Sequence, residues 1–291
     1  MLALSLAAAP AGQRAKLTAL TWTAPGREAA VLLEQPATCL DPGVSPADVT
    51  VGRALFAAPN LLGGQAERAA VSCASCHSNG RRNPAFFLAG ISGEPGTADV
   101  SSSFFSLARA NNAFDPKPIP DLAFPGKVSR DPASGALEKF IRGLVVDEFS
   151  GREPSAAELA GLAAYVRAVR ACGAGQVEPL TLASDVALVR TSIAAARALL
   201  AQGDAAGAQV ALKGARFRLG LIDERYTGSR HARLHRGLLE ASRRLAAAPL
   251  QAQALAEWLV SFEQDLVPGL LKAERSSFYN RAELERWLTR P

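Results

Sequence analysis

The sequence predicts an all-α protein in two parts, a loop-rich helical unit over residues 39–173 followed by an antiparallel helical bundle over residues 183–291. Three observations carry this prediction. Helix N-cap signatures stand at Ser45 and Ser155, each followed by apolar residues at helical spacing. The same spacing returns at Leu137, Phe140, Ile141, Leu144 and Val145, which follow i, i+3, i+4, i+7, i+8. From about Ala183 the composition shifts to Ala, Leu and Arg, and aromatic residues become sparse until Trp258.

The elements follow in chain order. Residues 1–11 form an apolar run ending in Pro10-Ala11, like the core and cleavage region of a secretory signal, although no Lys or Arg precedes Arg14; an Ala-rich N-terminal helix is the alternative. Ser45-Pro46-Ala47-Asp48 opens a helix: Ser caps, Pro takes the first helical position, and Asp answers the exposed amides. That helix carries Val49, Gly52, Leu55 and Phe56 and stops before Pro59. The stretch 137–145 supplies a further amphipathic helix. Ser155-Ala156-Ala157-Glu158 opens the next, with Leu159, Leu162, Val166 and Val169 on one stripe and its end at Cys172-Gly173. Residues 176–181, with Pro179, are the expected linker. Residues 186–200, 205–222, 232–247 and 252–266 each read as helix, broken at Gly203-Asp204, Thr227-Gly228-Ser229 and Ala248-Pro249, and a short helix near 282–288 ends the chain.

Composition bounds the function. With 291 residues, 48% apolar and 20% charged, the chain can bury an ample core, and no stretch reaches the roughly 18 continuous apolar residues that span a bilayer. The net charge of +5 is spread along the chain, which argues for acidic partners over nucleic acid.

The chemistry is concentrated in Cys73-Ala74-Ser75-Cys76-His77. This is the Cys-x-x-Cys-His arrangement in which two thioethers hold one covalently attached haem c and the adjacent imidazole ligates its iron. Positions three apart share a face of a helical turn, so both sulfurs can reach one porphyrin. A dithiol redox pair has no use for His77, and a zinc site needs further ligands that no second closely spaced pair supplies. Six phenylalanines, Phe86, Phe87, Phe104, Phe105, Phe114 and Phe124, follow the motif and suit the wrapping of a flat apolar macrocycle. Cys39 and Cys172 flank the unit; if its first and last helices cross, the two thiols come within bonding range, and otherwise they are unrelated free thiols.

The helix order resembles the cytochrome c fold, in which the first and last helices cross and loops enclose the haem. Gly52 lacks a Cβ, so another helix can approach it, with Tyr165 as the packing partner. The phrases Val51-Gly52-Arg53-Ala54-Leu55-Phe56, Val71-Ser72-Cys73-Ala74-Ser75-Cys76-His77, Gly96-Thr97-Ala98-Asp99-Val100 and Pro118-Ile119-Pro120-Asp121-Leu122 resemble one module of the bacterial di-haem cytochrome c peroxidase and MauG-like group over about residues 48–171. Members of that group carry two haem motifs, whereas this chain carries one. The resemblance implies haem attachment by Cys73 and Cys76, proximal ligation by His77, and maturation outside the cytoplasm in the periplasm.

Met1 is the sole methionine, which removes the usual sulfur ligand from the sixth iron position. Three arrangements remain: an open site; a ligand from Lys117, Lys127, Asn111 or Asn112; or a bis-His site through His231 or His235, which project from one face of a basic helix. Arg81, Arg82 and Arg109 are candidates for the haem propionates, and Tyr165, Tyr226, Trp22 and Trp258 for storage of an oxidising equivalent. Two functions follow: a mono-haem electron carrier or sensor with a redox partner protein, in which the bundle docks a protein, or a peroxidase-related enzyme with an open haem.

Overall fold

The computed structural model describes residues 16–289 apart from residues 125, 127 and 174, so the signal-like segment 1–11 and Lys127 lie outside the described residues. A 3-10 turn at Thr18–Trp22 leads to α1 (Glu28–Leu33), β1 (Glu34–Pro36) and β2 (Thr38–Leu40). The first long helix of the unit is α2 (Pro46–Phe56), capped as its sequence requires: the Ser45 side chain accepts from the Asp48 amide and Pro46 starts the helix. Short helices α3 (Pro59–Leu62), α4 (Gly64–Arg68) and α5 (Cys73–Cys76) follow. Loops then run to α6 (Ala136–Gly143), broken by a two-residue pairing of β3 (Thr97–Ala98) with β4 (Lys117–Pro118). A π-helical turn at Leu144–Glu148 extends α6, and α7 (Ala156–Ala168) closes the unit with a reciprocal Ser155 and Glu158 capping box.

The crossing of α2 and α7 rests on two glycines. A Cβ at Gly52 would sit 1.9 Å from the Gly161 carbonyl oxygen and 2.7 Å from Tyr165 Cβ, and one at Gly161 would sit 2.7 Å from Val51 Cγ1. Side chains at either position would push the backbones apart.

Two expectations need correction. The helix expected to run to Cys172 stops at Ala168; residues beyond it form β5 (Val169–Ala171), which pairs antiparallel with β2 in the register Thr38 to Ala171 and Leu40 to Val169. The extended partner strand takes the amides and carbonyls that another helical turn would have used. The linker over residues 176–181 contains β6 (Val177–Pro179), paired antiparallel with β1. These two ladders bring Cys39 and Cys172 together in a disulfide with a Cα separation of 5.1 Å.

The bundle consists of α8 (Leu182–Ala201), α9 (Ala205–Glu224), α10 (Ala232–Ala247), α11 (Ala252–Ser261) with a π-helical turn at Phe262–Leu266, α12 (Val267–Ala273) and α13 (Arg281–Leu288). Helix α2 packs on α7 and also on α8, so one apolar core runs from Leu55 and Leu162 through Leu182, Ile193 and Leu219. A smaller cluster of Leu17, Leu32, Leu33, Phe278 and Leu284 ties the N-terminal segment to α13. Among the described residues the architecture is mostly helical, its sheets are small, and no helix is long and apolar enough to cross a membrane.

Candidate haem site

Helix α5 is a single turn held from both ends. The Ser72 amide donates to Ser75 Oγ at 3.1 Å, and the His77 amide to the Cys73 carbonyl at 2.8 Å. Buried Asn83 secures the turn from outside, its Nδ2 donating to the Ser75 carbonyl at 2.7 Å and its amide to that of Cys76 at 3.0 Å. Beyond His77 the chain reverses at Gly80, whose φ is +77° and where an added Cβ would sit 2.7 Å from Val169 Cγ2, so a side chain there is strained and crowded. Thr38 Oγ1 donates to the Asn79 carbonyl at 2.6 Å, so the β1–β2 segment braces this reversal.

Cys73 and Cys76 are free thiols. Burial pushes Cys73 up to about 12 and Cys76 higher still, against the lowered values of dithiol oxidoreductases. Both sulfurs are therefore protonated at neutral pH, unlike an attacking thiolate.

His77 is defined by one contact: its Nδ1 lies 3.1 Å from the Pro120 carbonyl oxygen. A carbonyl only accepts, so Nδ1 carries the proton and the lone pair stands on Nε2. Burial lowers His77 to about 4, outweighing the opposing effects of Pro120 and Asp121, so the ring is neutral, as a metal ligand must be. The loop that presents Pro120 is clamped next door. Arg81 donates through Nε and Nη2 to the two oxygens of Asp121 at 2.6 and 2.7 Å, and through Nη1 to the Ala37 carbonyl at 3.2 Å. Burial works against the Asp121 carboxylate, but Arg81 holds it below its usual range. Composition and spacing do not single out Pro120, Asp121 or Asn83 as functional; the phrase Pro118-Ile119-Pro120-Asp121-Leu122 was the only trace of the first two, and Asn83 left none.

The six phenylalanines divide. Phe86 and Phe105 are buried, stacked on Trp22 at 6.4 Å and packed on Phe149 at 4.8 Å respectively. Phe104, Phe114 and Phe124 are exposed, and Phe124 lies 5.9 Å from the Arg81 guanidinium carbon, beside the loop that holds His77. Two free thiols one turn apart, a neutral imidazole with its Nε2 lone pair unshared, and an exposed aromatic ring alongside suit a covalently held haem. Among the described residues, no three His, Cys, Asp or Glu side chains gather as a metal-holding group.

The remaining candidates fall elsewhere. His231 and His235 do not share a solvated face: His231 is buried in the turn before α10, its Nδ1 at 2.9 Å from the Thr227 carbonyl and its Nε2 at 3.0 Å from Ser276 Oγ. His235 is exposed and bound to Asp223 at 2.7 Å. With both nitrogens of His231 engaged in the bundle, the bis-His arrangement has no support. Lys117 is exposed and paired with Asp115 at 2.6 Å; Asn111 Oδ1 accepts from the Ala113 amide at 3.0 Å, and Asn112 takes a left-handed turn. Arg109 bonds Glu148 at 3.2 Å, which leaves Arg82, exposed beside Gly96, as the propionate candidate without a carboxylate partner among the described residues. Of the four redox candidates, Tyr165 connects to the site through Phe56, whose ring centroid is 5.1 Å from that of Tyr165 and 6.3 Å from that of His77. Tyr226 and Trp258 donate to carbonyls within the bundle, at Leu270 and Ala241.

Comparison with protein-family models, with curated proteins and with solved structures finds no match to this chain.

Proposed function

We propose that this chain is a mono-haem c-type cytochrome, resembling one module of the bacterial di-haem cytochrome c peroxidase and MauG-like group, that acts in electron transfer as a carrier or sensor. Cys73 and Cys76 hold the haem in this reading, and His77 ligates its iron through Nε2. The observation that carries it is the 3.1 Å contact of His77 Nδ1 with the Pro120 carbonyl, the outer-shell bond that fixes a ligating histidine's tautomer and raises its basicity. Bound there, the haem supplies a one-electron iron couple. The chain's own residues position it: Arg81 and Asp121 hold the loop that presents Pro120, and Phe56 packs between the imidazole and Tyr165. The disulfide between exposed Cys39 and Cys172 supports an oxidising compartment, hence an exported, periplasmic protein. Its partner is a redox protein, and the net charge of +5 favours an acidic one.

A second reading, a peroxidase-related enzyme, is favoured by the scarcity of sixth ligands: His231 and His235 are engaged in the bundle, and Met1 is the only methionine. Absorption and EPR spectra of the purified holoprotein, with and without peroxide, cyanide and carbon monoxide, separate the two. Low-spin ferric iron indifferent to all three supports the carrier. High-spin iron that forms an oxidised intermediate supports the enzyme. Pigment that extracts into acidified organic solvent overturns both, because a thioether-linked haem stays with the polypeptide.

A further inference from the structure

A cavity of about 280 Å³ lies where the N-terminal segment, α2, α7, α8 and α9 meet the back of α5; Ala74 and Ser75 line it, whereas Cys73, Cys76 and His77 do not. Its walls carry four aromatic side chains, Trp22, Phe56, Tyr165 and Phe217. Charged groups also line it, and nearly all of them are answered within the protein. Glu34 pairs with Arg281 at 2.6 Å, and Asp185 with Arg218 at 3.1 Å and with Tyr279 Oη at 2.6 Å. Glu224 accepts from the Thr18 amide at 2.7 Å, and Arg225 stacks over Tyr279 and donates to the Phe278 carbonyl.

Arg53 is the exception. It is half-buried on α2, and no carboxylate among the described residues comes within ion-pairing distance of it. The neighbouring Tyr165 shares the cavity wall, and its phenol hydroxyl makes no hydrogen bond among the described residues; Trp22 Nε1, on the same wall, is buried without a partner. A neutral apolar occupant would leave the guanidinium unanswered, and a cation would be repelled. An anion satisfies Arg53 and the Tyr165 hydroxyl, and aromatic walls suit a ring behind it. The volume, just under the roughly 300 Å³ at which small-molecule pockets begin, limits that body to one or two rings.

We propose that this cavity is a binding site for a small aromatic monocarboxylate, its carboxylate on Arg53 and the Tyr165 hydroxyl and its ring among Phe56, Tyr165 and Phe217. Because Phe56 also touches His77, the occupant sits one side chain from the residue that would ligate the iron. The site itself does not depend on the haem reading.

The test is isothermal titration of the whole chain, as purified, with 2-naphthoate and benzoate, alongside the neutral alcohols 2-naphthylmethanol and benzyl alcohol. The expected result is saturable 1:1 binding of at least one acid, at least about tenfold tighter than its alcohol, and weakened at least about tenfold by Arg53→Gln, as loss of a charge-assisted hydrogen bond requires. Tyr165→Phe weakens the acid and not the alcohol. Alcohols that bind as tightly as the acids overturn the proposal, as does acid binding that survives Arg53→Gln, or no saturable binding of either acid at millimolar concentration. The comparison of acid with alcohol is made on the unsubstituted protein, so it decides the matter even if Arg53→Gln fails to fold.

Discussion

Two ion pairs link the loops and helices around the Cys73–His77 motif, and each makes a prediction at the residue scale. Arg81 and Asp121 form a two-pronged, largely buried pair that ties the reversal after His77 to the loop presenting Pro120. Asp121→Ala leaves the guanidinium without its fork-shaped partner, and chemical denaturation is expected to show a loss of about 2 kcal/mol, the worth of charge-assisted hydrogen bonds at a mostly desolvated site. Arg81→Lys should lose a similar share, since a point charge cannot make both bonds. Glu138 and Arg167 join α6 to α7 at 2.7 and 2.8 Å, and the hydrogen bond from Arg167 holds the Glu138 carboxyl below its usual range. A group with a lowered folded value contributes stability that is present above its unfolded value and is lost as pH falls through the folded one. Glu138→Gln should therefore cost stability at pH 7, and the gap to the parent should narrow as pH falls below about 4.3. Urea midpoints measured across that range check the sign; a gap that widens on acidification contradicts it.

At the scale of elements, the crossing of α2 and α7 is the contact on which the N-terminal helical unit depends, and its glycines are not equivalent to others in the chain. A Cβ at Gly52 meets backbone 1.9 Å away, which no rotamer change relieves, so Gly52→Ala should destabilise by more than about 3 kcal/mol in thermal or chemical unfolding. Gly220 on α9 has nothing within 4 Å of its Cβ position, and Gly220→Ala should stabilise by about 0.5–1 kcal/mol through helix propensity. Equal effects at the two positions would mean that the crossing is loose. Gly52 was legible in the sequence because a cap signature and an apolar stripe placed it on a helix face. Its partner Gly161 was not, since Ala-Gly-Leu within a helix carries no mark of close approach. The caps at Ser45 and Ser155, and the breaks between the bundle helices, follow from local chemistry alone. Strands β1, β2, β5 and β6 were invisible for the opposite reason: three residues are too few to show alternation, and each exists only because a partner more than 120 residues away supplies its hydrogen bonds. The same limit hid the burial of His231, because i, i+4 spacing with His235 describes a helix face, while His231 lies in the turn before that helix. Within the candidate haem site Cys73, Cys76 and His77 were readable as a contiguous motif, but the Pro120 carbonyl was not, because a backbone atom 43 residues away leaves no residue-type signature.

At the scale of the whole molecule, the two helical regions behave as one packed body because α2 lies between α7 and α8 and the apolar core continues from one side to the other. The disulfide closes a long loop within this body. Cys39 and Cys172 are 133 residues apart in sequence, and the segment they enclose contains α2 to α7 and the whole candidate haem site. Closing a loop of that length is worth about 5 kcal/mol in the chain-entropy model, an upper figure because a real unfolded chain is already compact. The adjoining β1–β6 and β2–β5 ladders hold the same chain segments together without the sulfurs, so the native arrangement should survive their loss. Replacing both residues, Cys39→Ser with Cys172→Ser, is therefore expected to keep the far-ultraviolet circular dichroism of the parent while lowering its denaturant midpoint by several kcal/mol equivalent. Both cysteines are exposed, so dithiothreitol should reach the bond in the folded protein and bring the parent to the midpoint of the double variant. A parent whose midpoint is unmoved by reductant while the bond is shown by mass spectrometry to be open would refute the entropic account and leave the ladders as the sole tie. If instead the double variant loses its helical signal outright, the enclosed unit depends on the bond to fold at all, and the two short ladders are its consequence rather than its equal.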